Sequence, residues 1–89
     1  MWFMISDEVL IQPVDDDLVI LNLATEQYHA LNSTARVFLE ICRSSNSRSD
    51  AISKILSAFE IGREEAEQDL EVFIGHLEKR GILTTRAPK

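Results

Sequence analysis

The segment Leu18–Ile41, LVILNLATEQYHALNSTARVFLEI, decides the fold of this 89-residue chain. Leu18–Leu23 is almost continuously apolar, which predicts a strand with cover on both faces. After a short polar turn, Gln27–Leu31 has the composition of another strand and runs directly into a helical pattern. Asn32 stands at that junction, where its side chain can accept hydrogen bonds from the first helical turn. The segment therefore predicts a hairpin joined to a helix.

A further strand is predicted upstream of this hairpin. Val9–Val14 is mostly apolar, and Pro13 either weakens its end or places it at a sheet edge. The run Asp15–Asp17 then supplies a turn. Before the strand lies the short apolar segment Trp2–Ile5, which lacks the basic flank and the cleavage site of a signal peptide. The residues up to Leu31 thus predict a small antiparallel sheet.

Three helices are predicted downstream, from apolar residues spaced three or four positions apart. The first runs to about Arg43, the second covers about Asp50–Glu60 and the third covers Arg63–Arg80. Ser49 is expected to cap the second helix, and Gly81 to end the third. The predicted buried stripes are Ala35, Phe38, Leu39 and Cys42; Ile52, Ile55, Leu56 and Phe59; and Ala66, Leu70, Phe73 and Leu77.

These elements form a single predicted domain, residues 1–89, of the α+β class. The antiparallel strands come first, and the helices that follow pack on them. Ile82 and Leu83 are expected to fold back on the core, and residues 84–89 to form a polar tail.

Composition and charge exclude several classes of partner. The formal net charge is -6, which disfavours nucleic-acid binding because affinity for phosphates comes largely from Lys and Arg. No apolar run reaches the roughly 20 residues of a membrane helix, so no membrane partner is expected. Cys42 is the single cysteine, which leaves no internal disulfide and fits a reducing cytoplasm.

No constellation of residues predicts catalysis or a cofactor. A zinc site needs three or four converging ligands, and His29, His76 and Cys42 show no such spacing. Asp15–Asp17 lacks the glycine and the distal glutamate of a calcium loop. We therefore expect no metal, no cofactor and no enzymatic activity. His29 is either a strand residue packed by its neighbours or a contact for a bound peptide.

The candidate functional surface is a groove between the third strand and the third helix. If Gln27–Leu31 lies at a sheet edge, its unpaired backbone groups can hold an extended peptide. Asp69, Val72 and His76 recur at helical spacing beside the buried stripe, and should line such a groove. Phe73 lies between these residues and the stripe. A solvated helix face is the alternative explanation of the pattern.

Several motifs occur in an order and spacing typical of one family. A Thr-containing hairpin leads through Tyr28 to Leu31-Asn32, and Phe38 supplies an aromatic residue in the first helix. The closing motifs are Asp69-Leu70, Phe73-Ile74, Leu77, Arg80-Gly81 and Ile82-Leu83. In these features, over about residues 8–83, the chain resembles the PqqD-like family, named for the pyrroloquinoline quinone biosynthesis protein D. His29 and Gly62 depart from the pattern, where a second aromatic residue and a polar cap are usual.

The resemblance implies a winged helix-turn-helix-like fold that recognises precursors of ribosomally synthesised, post-translationally modified peptides. In this family the leader segment of the precursor adds as a strand to the third strand, and its side chains lie against the third helix. The domain presents the peptide to a modifying enzyme: a radical S-adenosylmethionine (SAM) protein, a cyclodehydratase or the leader peptidase of a lasso-peptide pathway. The implied leader contacts are Gln27, Tyr28, His29, Ala30 and Leu31 on the strand, and Asp69, Val72, Phe73 and His76 on the helix.

Three other functions stay open at the level of sequence. A winged-helix DNA-binding regulator shares the fold class, but the predicted third helix is rich in Asp and Glu, whereas a DNA-reading helix is basic. An independent enzyme would need a catalytic set that converges only in space. A generic adaptor or homodimer could use Trp2–Ile5 to pair with another chain, and domain swapping is one route to such a dimer.

Overall fold

The computed structural model describes residues 2–83 of the chain. Three strands precede three helices, which confirms the predicted α+β class. The predicted polar tail, residues 84–89, lies outside the described residues. Within residues 2–83, no helix combines the length and the apolar character needed to span a bilayer. The elements are β1 (Val9–Val14), β2 (Asp17–Asn22), β3 (Gln27–Leu31), α1 (Ser33–Ser44), α2 (Arg48–Ala58) and α3 (Arg63–Lys79).

Polar side chains set the starts of α1 and α2. Asn32 caps α1, as predicted, because its Oδ1 accepts a hydrogen bond of 2.9 Å from the Ala35 N–H. α2 begins earlier than predicted, because its cap is Ser47 and not Ser49. The Ser47 hydroxyl accepts a hydrogen bond of 3.0 Å from the Asp50 N–H. The predicted helix start is therefore right for α1 and wrong for α2.

The sheet is antiparallel with strand order β1-β2-β3, so β2 is central and both other strands are edges. Pro13 thus lies in an edge strand, where a missing N–H leaves no gap in a ladder. Leu18 and Ile20 of β2 are buried beneath the helices. The prediction that β2 is covered on both faces is wrong. Val19 and Leu21 are only half-buried, because the helices cover the opposite face of the sheet.

One hydrophobic core joins the sheet, the helices and both ends of the described chain. The centroid of the Phe38 ring lies 5.4 Å from that of the Phe59 ring and 5.7 Å from that of the Phe73 ring. Four residues that the helical stripes predicted in the core are only partly buried: Ala35, Leu56, Phe59 and Phe73. The buried apolar residues are Phe3, Leu18, Ile20, Phe38, Leu39, Cys42, Ala51, Ile52, Ile55, Ala66, Leu70, Leu77, Ile82 and Leu83.

The apolar N-terminal segment belongs to this core. Phe3 is buried, and Trp2 Nε1 donates a hydrogen bond of 3.2 Å to the Ser45 carbonyl. Ile5 forms an antiparallel bridge with Leu83. The domain itself therefore covers Phe3, while Met4 is 46% exposed, and pairing of this segment with another chain stays an alternative.

A glycine turn ends α3. Gly81 has a φ of 70°, in the left-handed region that glycine adopts without a steric penalty. Its N–H donates a hydrogen bond of 3.1 Å to the Glu78 carbonyl, and the Ile82 N–H donates one of 2.9 Å to the Leu77 carbonyl. This pair of bonds is a Schellman motif. It turns the chain back so that Ile82 and Leu83 are buried, as predicted.

Candidate functional site

β3 has one free edge. It pairs with β2 on one side, from Leu18 opposite Leu31 to Asn22 opposite Gln27, and no other strand within residues 2–83 pairs with it. The unpaired N–H and C=O groups of an edge strand form a template for an extended peptide. β3 therefore lies at an edge of the sheet, the condition under which the sequence predicted a peptide-binding groove.

Backbone hydrogen bonds show which N–H and C=O groups of β2 face β1 and which face β3. The Leu23 N–H donates a bond of 2.8 Å to the Glu8 carbonyl, one step beyond the paired residues Val9 and Asn22. Along an antiparallel strand, successive residues direct their bonds to opposite sides. Asn22 therefore directs its N–H and C=O toward β3. In agreement, its carbonyl accepts a bond of 2.7 Å from the Glu26 N–H in the hairpin turn.

The same alternation assigns the free backbone groups of β3. Gln27, His29 and Leu31 lie opposite the residues of β2 that face β3, and direct their own N–H and C=O groups toward β2. Tyr28 and Ala30 therefore present their N–H and C=O groups to the free edge. These two residues supply the backbone donors and acceptors that a peptide can reach.

The side chains of β3 alternate between the two faces of the sheet. His29 and Leu31 share the core face with their partners on β2, Ile20 and Leu18. Tyr28 lies on the opposite face, away from the helices, and is 72% exposed. The strand contacts that the sequence predicted are therefore of two kinds. Some residues offer backbone groups at the edge, and others offer side chains toward the helices.

A cleft of about 460 Å³ lies between β3 and the C-terminal half of α3. The buried side chain of Leu77 holds this part of α3 against the core, and His76 lies beside it on the side of the helix that faces β3. We call this space the β3–α3 cleft. The residues that line it are Tyr28, His29, Ala30, Leu31, Ala35, Phe73, His76, Leu77, Arg80 and Ile82.

A second, more open cleft of about 300 Å³ adjoins the first along α3. Phe73 and His76 line both clefts, so the two clefts lie next to each other along α3. Asp69 and Val72 line only the second, and Val72 is 59% exposed. Gln27 lines neither cleft. The structure thus brings the predicted helix residues beside the predicted strand, and leaves Gln27 outside the clefts.

The β3–α3 cleft is lined by basic side chains, although the protein is acidic overall. His29, His76 and Arg80 line it, and no Asp or Glu does, whereas the net charge of the chain is -6. Asp69 lies in the adjoining cleft. The His29 Nε2 atom is buried and has no hydrogen-bond partner within residues 2–83. The cleft therefore differs in charge from most of the surface around it.

Arg80 is a cleft residue that the sequence analysis missed. It follows His76 by four positions, and this spacing places the two side chains on one side of a helix. The spacing could have identified Arg80 once His76 was assigned to the groove. The sequence placed Arg80 only at the end of the predicted third helix and in the closing Arg80-Gly81 motif.

Asn22 is a second residue whose role the sequence did not indicate. Its side chain is buried, with 3% exposure, at the end of β2. Its Nδ2 donates a hydrogen bond of 2.8 Å to the Arg80 carbonyl, and its Oδ1 accepts bonds of 3.0 and 3.3 Å from Ala24 N–H and Thr25 N–H. Asn22 therefore fixes the β2–β3 hairpin against the end of α3, and with it one end of the cleft.

Residues 2–83 form neither a metal site nor a reactive thiol. No group of three His, Cys, Asp or Glu side chains among them lies close enough to hold a metal ion. Burial raises the pKa of the Cys42 thiol from 9.0 to about 12. The nucleophilic thiolate is therefore scarce at neutral pH, and Cys42 is a core residue, as predicted.

Comparison with known proteins identifies the family. The family described as Coenzyme PQQ synthesis protein D (PqqD) matches residues 17–83, a range that includes both β3 and α3. The chain belongs to the PqqD family. Among curated protein sequences it has no match.

Two solved structures resemble this PqqD-family chain over almost its whole length. TbiB1 in complex with the TbiA(beta) leader peptide is 25% identical, with a TM-score of 0.86 over 94% of this chain and 98% of that chain. Lasso peptide synthetase B1 complexed with the leader peptide is 24% identical, with a TM-score of 0.84 over 93% of this chain and 98% of that chain. Both similarities therefore extend to the fold as a whole.

Proposed function

We propose that this chain binds the leader segment of a precursor peptide by strand addition at β3. The observation that carries the proposal is the free edge of β3 beside a cleft bounded by α3. Tyr28 and Ala30 offer backbone donors and acceptors at that edge, and the cleft can receive side chains of the added strand. The two similar solved structures are complexes with leader peptides, which supports a ligand of the same kind.

The proposed contacts divide between backbone and side chains. Backbone pairing gives affinity that depends little on peptide sequence, and the clefts give specificity. Gln27, outside both clefts, marks the end of the paired strand. The proposed leader contacts are the backbone of Tyr28 and Ala30 and the side chains of His29, Leu31, Asp69, Val72, Phe73 and His76.

Such a site binds with moderate affinity. Each backbone hydrogen bond contributes about 0.5–1.5 kcal/mol net. One or two apolar side chains in the clefts add to this, while ordering of the flexible peptide opposes binding. We expect a dissociation constant of about micromolar to sub-micromolar, which allows the leader to be released after processing.

The bound chain presents the rest of the precursor to a modifying enzyme and does not itself catalyse a reaction or hold a cofactor. The candidate partners are a radical SAM protein and the leader peptidase of a lasso-peptide pathway. Similarity to lasso peptide synthetase B1 favours the peptidase. The free, buried Cys42 is consistent with activity in a reducing cytoplasm.

Replacement of Ala30 tests the proposal. Ala30→Pro removes the N–H that faces the free edge and leaves the ladder to β2 intact, whereas the matched control Ala30→Thr keeps that N–H. His29→Pro is unsuitable, because the His29 N–H is directed toward β2. The probe is the labelled leader of a precursor encoded beside this gene, and binding is followed by fluorescence anisotropy. We expect Ala30→Pro to abolish binding and Ala30→Thr to retain it.

Two results would overturn the proposal. One is a folded Ala30→Pro variant, with the circular dichroism of the wild type, that binds the leader as tightly as the wild type does. The other is a salt-dependent gel shift of the chain with duplex DNA, in the absence of any binding to the leader. The second result would favour the winged-helix DNA-binding function that the fold class leaves open.

A further inference from the structure

The charge of the β3–α3 cleft is opposite to that of the protein. Apart from Tyr28, whose side chain lies on the opposite face of β3, its titratable lining consists of His29, His76 and Arg80, without a carboxylate, in a chain whose formal net charge is -6. A cleft with this lining attracts a ligand that carries negative charge or hydrogen-bond acceptors. The apolar lining residues, among them Leu31, Phe73 and Leu77, can contact the methylene groups of the same ligand side chain.

Arg80 is held in a position suited to anion binding. Its carbonyl accepts the 2.8 Å bond from Asn22 Nδ2, and its N–H donates a bond of 3.2 Å to the His76 carbonyl. These bonds fix the backbone from which the guanidinium extends. His76, one helical turn earlier, lines the same cleft. A guanidinium presents several N–H donors in a planar fork that matches the two oxygens of a carboxylate.

His29 supplies a further polar group on the strand side. Its ring lines the cleft, while its Nε2 atom is buried without a hydrogen-bond partner within residues 2–83. An unpaired buried nitrogen destabilises the unbound state, and rotation of the ring toward an acceptor in the cleft would relieve it. A ligand oxygen between β3 and α3 would therefore gain partners from both elements.

The geometry of strand addition selects one residue of the ligand. When a peptide pairs with the free edge of β3, the residue opposite His29 directs its side chain to the same face of the sheet as His29 does. That face opens into the β3–α3 cleft. We infer that this position of the leader is specific for Asp or Glu, whose carboxylate is bound by Arg80 and His76. The inference rests on the proposed leader binding and specifies the chemistry that the leader must carry.

Leaders that differ at one position test this inference. The residue opposite His29 is first located by nuclear Overhauser contacts to Ala30 and His29 in the complex. Three peptides then carry Glu, Gln or Lys at that position. For the wild-type chain we expect the Glu peptide to bind about tenfold more tightly than the Gln peptide, as one charge-assisted interaction predicts, and the Lys peptide most weakly.

Charge reversal on the protein completes the test. In Arg80→Glu we expect the order of the peptides to invert, with Lys above Glu. Lys79→Glu is the matched control, because it makes the same charge change at the neighbouring position, which does not line the cleft. In this control the three peptides should keep their wild-type order, with Glu above Gln and Gln above Lys. Equal binding of the Glu and Gln peptides to the wild type overturns the inference, as does an equal change of order in both variants.

These outcomes are distinct from failure of leader binding itself. If the peptides bind and Ala30→Pro abolishes their binding, but the Glu and Gln peptides bind equally, strand addition stands and the acidic preference is wrong. If none of the three peptides binds to the wild type, the proposed function is wrong and the preference is wrong with it.

Discussion

Asn22 Nδ2 donates a hydrogen bond of 2.8 Å to the carbonyl of Arg80, 58 positions away along the chain. This bond joins the end of β2 to the last turn of α3, the helix that bounds the β3–α3 cleft. Because the hairpin turn and the helix end are held by the same side chain, the separation of β3 from α3 depends on Asn22. The residue therefore connects the stability of the fold to the shape of the proposed binding site.

We expect Asn22→Ala to lower the free energy of unfolding by about 2–3 kcal/mol, since it removes three hydrogen bonds of a buried side chain. Urea denaturation measures this change. Asn46→Ala is the control, because the Asn46 bond to Asp50 uses the backbone N–H and survives the substitution. An exposed change of this kind alters stability by at most about 0.5 kcal/mol. Similar urea midpoints for both variants would show that Asn22 does not hold the helix end.

Two glycines, Gly75 within α3 and Gly81 just after it, give a second pair of variants with opposite expected effects. Gly81→Ala should destabilise the fold by about 2 kcal/mol, because a left-handed φ is unfavourable for alanine. The added Cβ would also lie 3.0 Å from Asn22 Nδ2. Gly75→Ala should instead stabilise it by about 1 kcal/mol, since Gly75 lies inside a helix and a Cβ there meets no atom within 4 Å. Thermal melts of both variants check the signs, and a shift in the same direction for both would contradict this assignment.

The local elements could be predicted from the sequence because their determinants are local. The strand–turn–strand pattern that ends at Asn32 predicted the hairpin and the start of α1. Gly81 predicted the end of α3. The error at α2 had a local cause too. Ser47 is followed three positions later by Asp50, the spacing of a capping box, whereas Ser49 is followed at the same distance by apolar Ile52. The capping-box spacing therefore favours Ser47 over Ser49 as the helix cap.

The arrangement of the site could be predicted only in part. In an edge strand, either the odd-numbered or the even-numbered residues can direct their backbone N–H and C=O groups to the free edge. Nothing within Gln27–Leu31 distinguishes these two hydrogen-bonding phases. The phase is fixed by the pairing of Glu8 with Leu23, which belongs to the other hairpin of the sheet. The contact of Arg80 with the cleft likewise depends on Asn22, far away in sequence. Such long-range relations are absent from local patterns.

The Cys42 thiol should be unreactive in the folded protein. With a pKa raised by burial to about 12, only about one thiol in ten thousand is ionised at pH 8, and the group is also closed to reagents. We expect Ellman's reagent to label it many times more slowly in buffer than in urea. Rapid labelling of the native chain would contradict the burial of Cys42.

The same pKa makes stability depend on pH in the alkaline range. Between pH 9 and about 12 the unfolded chain loses the thiol proton, while the folded chain keeps it. Stability should therefore fall as the pH rises through this range. Cys42→Ala is the control, because it lacks the titrating group and should lose less stability over the same interval. Parallel pH profiles for the two proteins would contradict this linkage.

Phe73 and Val72 are neighbours on α3 with different environments. Phe73 is partly buried, with its ring 5.7 Å from that of Phe38 in an edge-on contact, and it lines both clefts. Val72 is 59% exposed and lines only the more open cleft. Truncation of Phe73 should therefore affect both folding and binding, and truncation of Val72 should affect binding alone.

We expect Phe73→Ala to lower the free energy of unfolding by about 2–3 kcal/mol, less than the roughly 3–5 kcal/mol of a fully buried aromatic residue, because the ring is only partly covered. Val72→Ala should change it by at most about 0.5 kcal/mol. The same variant should weaken leader binding about fivefold through the loss of apolar contact. Val37→Ala is the matched control, since Val37 is a comparably placed helix valine, 36% exposed on α1, and lines neither cleft. Urea melts of the three variants measure the contribution to folding stability, and leader titrations measure the contribution to peptide binding. If Val72→Ala and Val37→Ala bind the leader equally well, the leader does not reach the second cleft, and the peptide contacts are confined to the cleft between β3 and the last turns of α3.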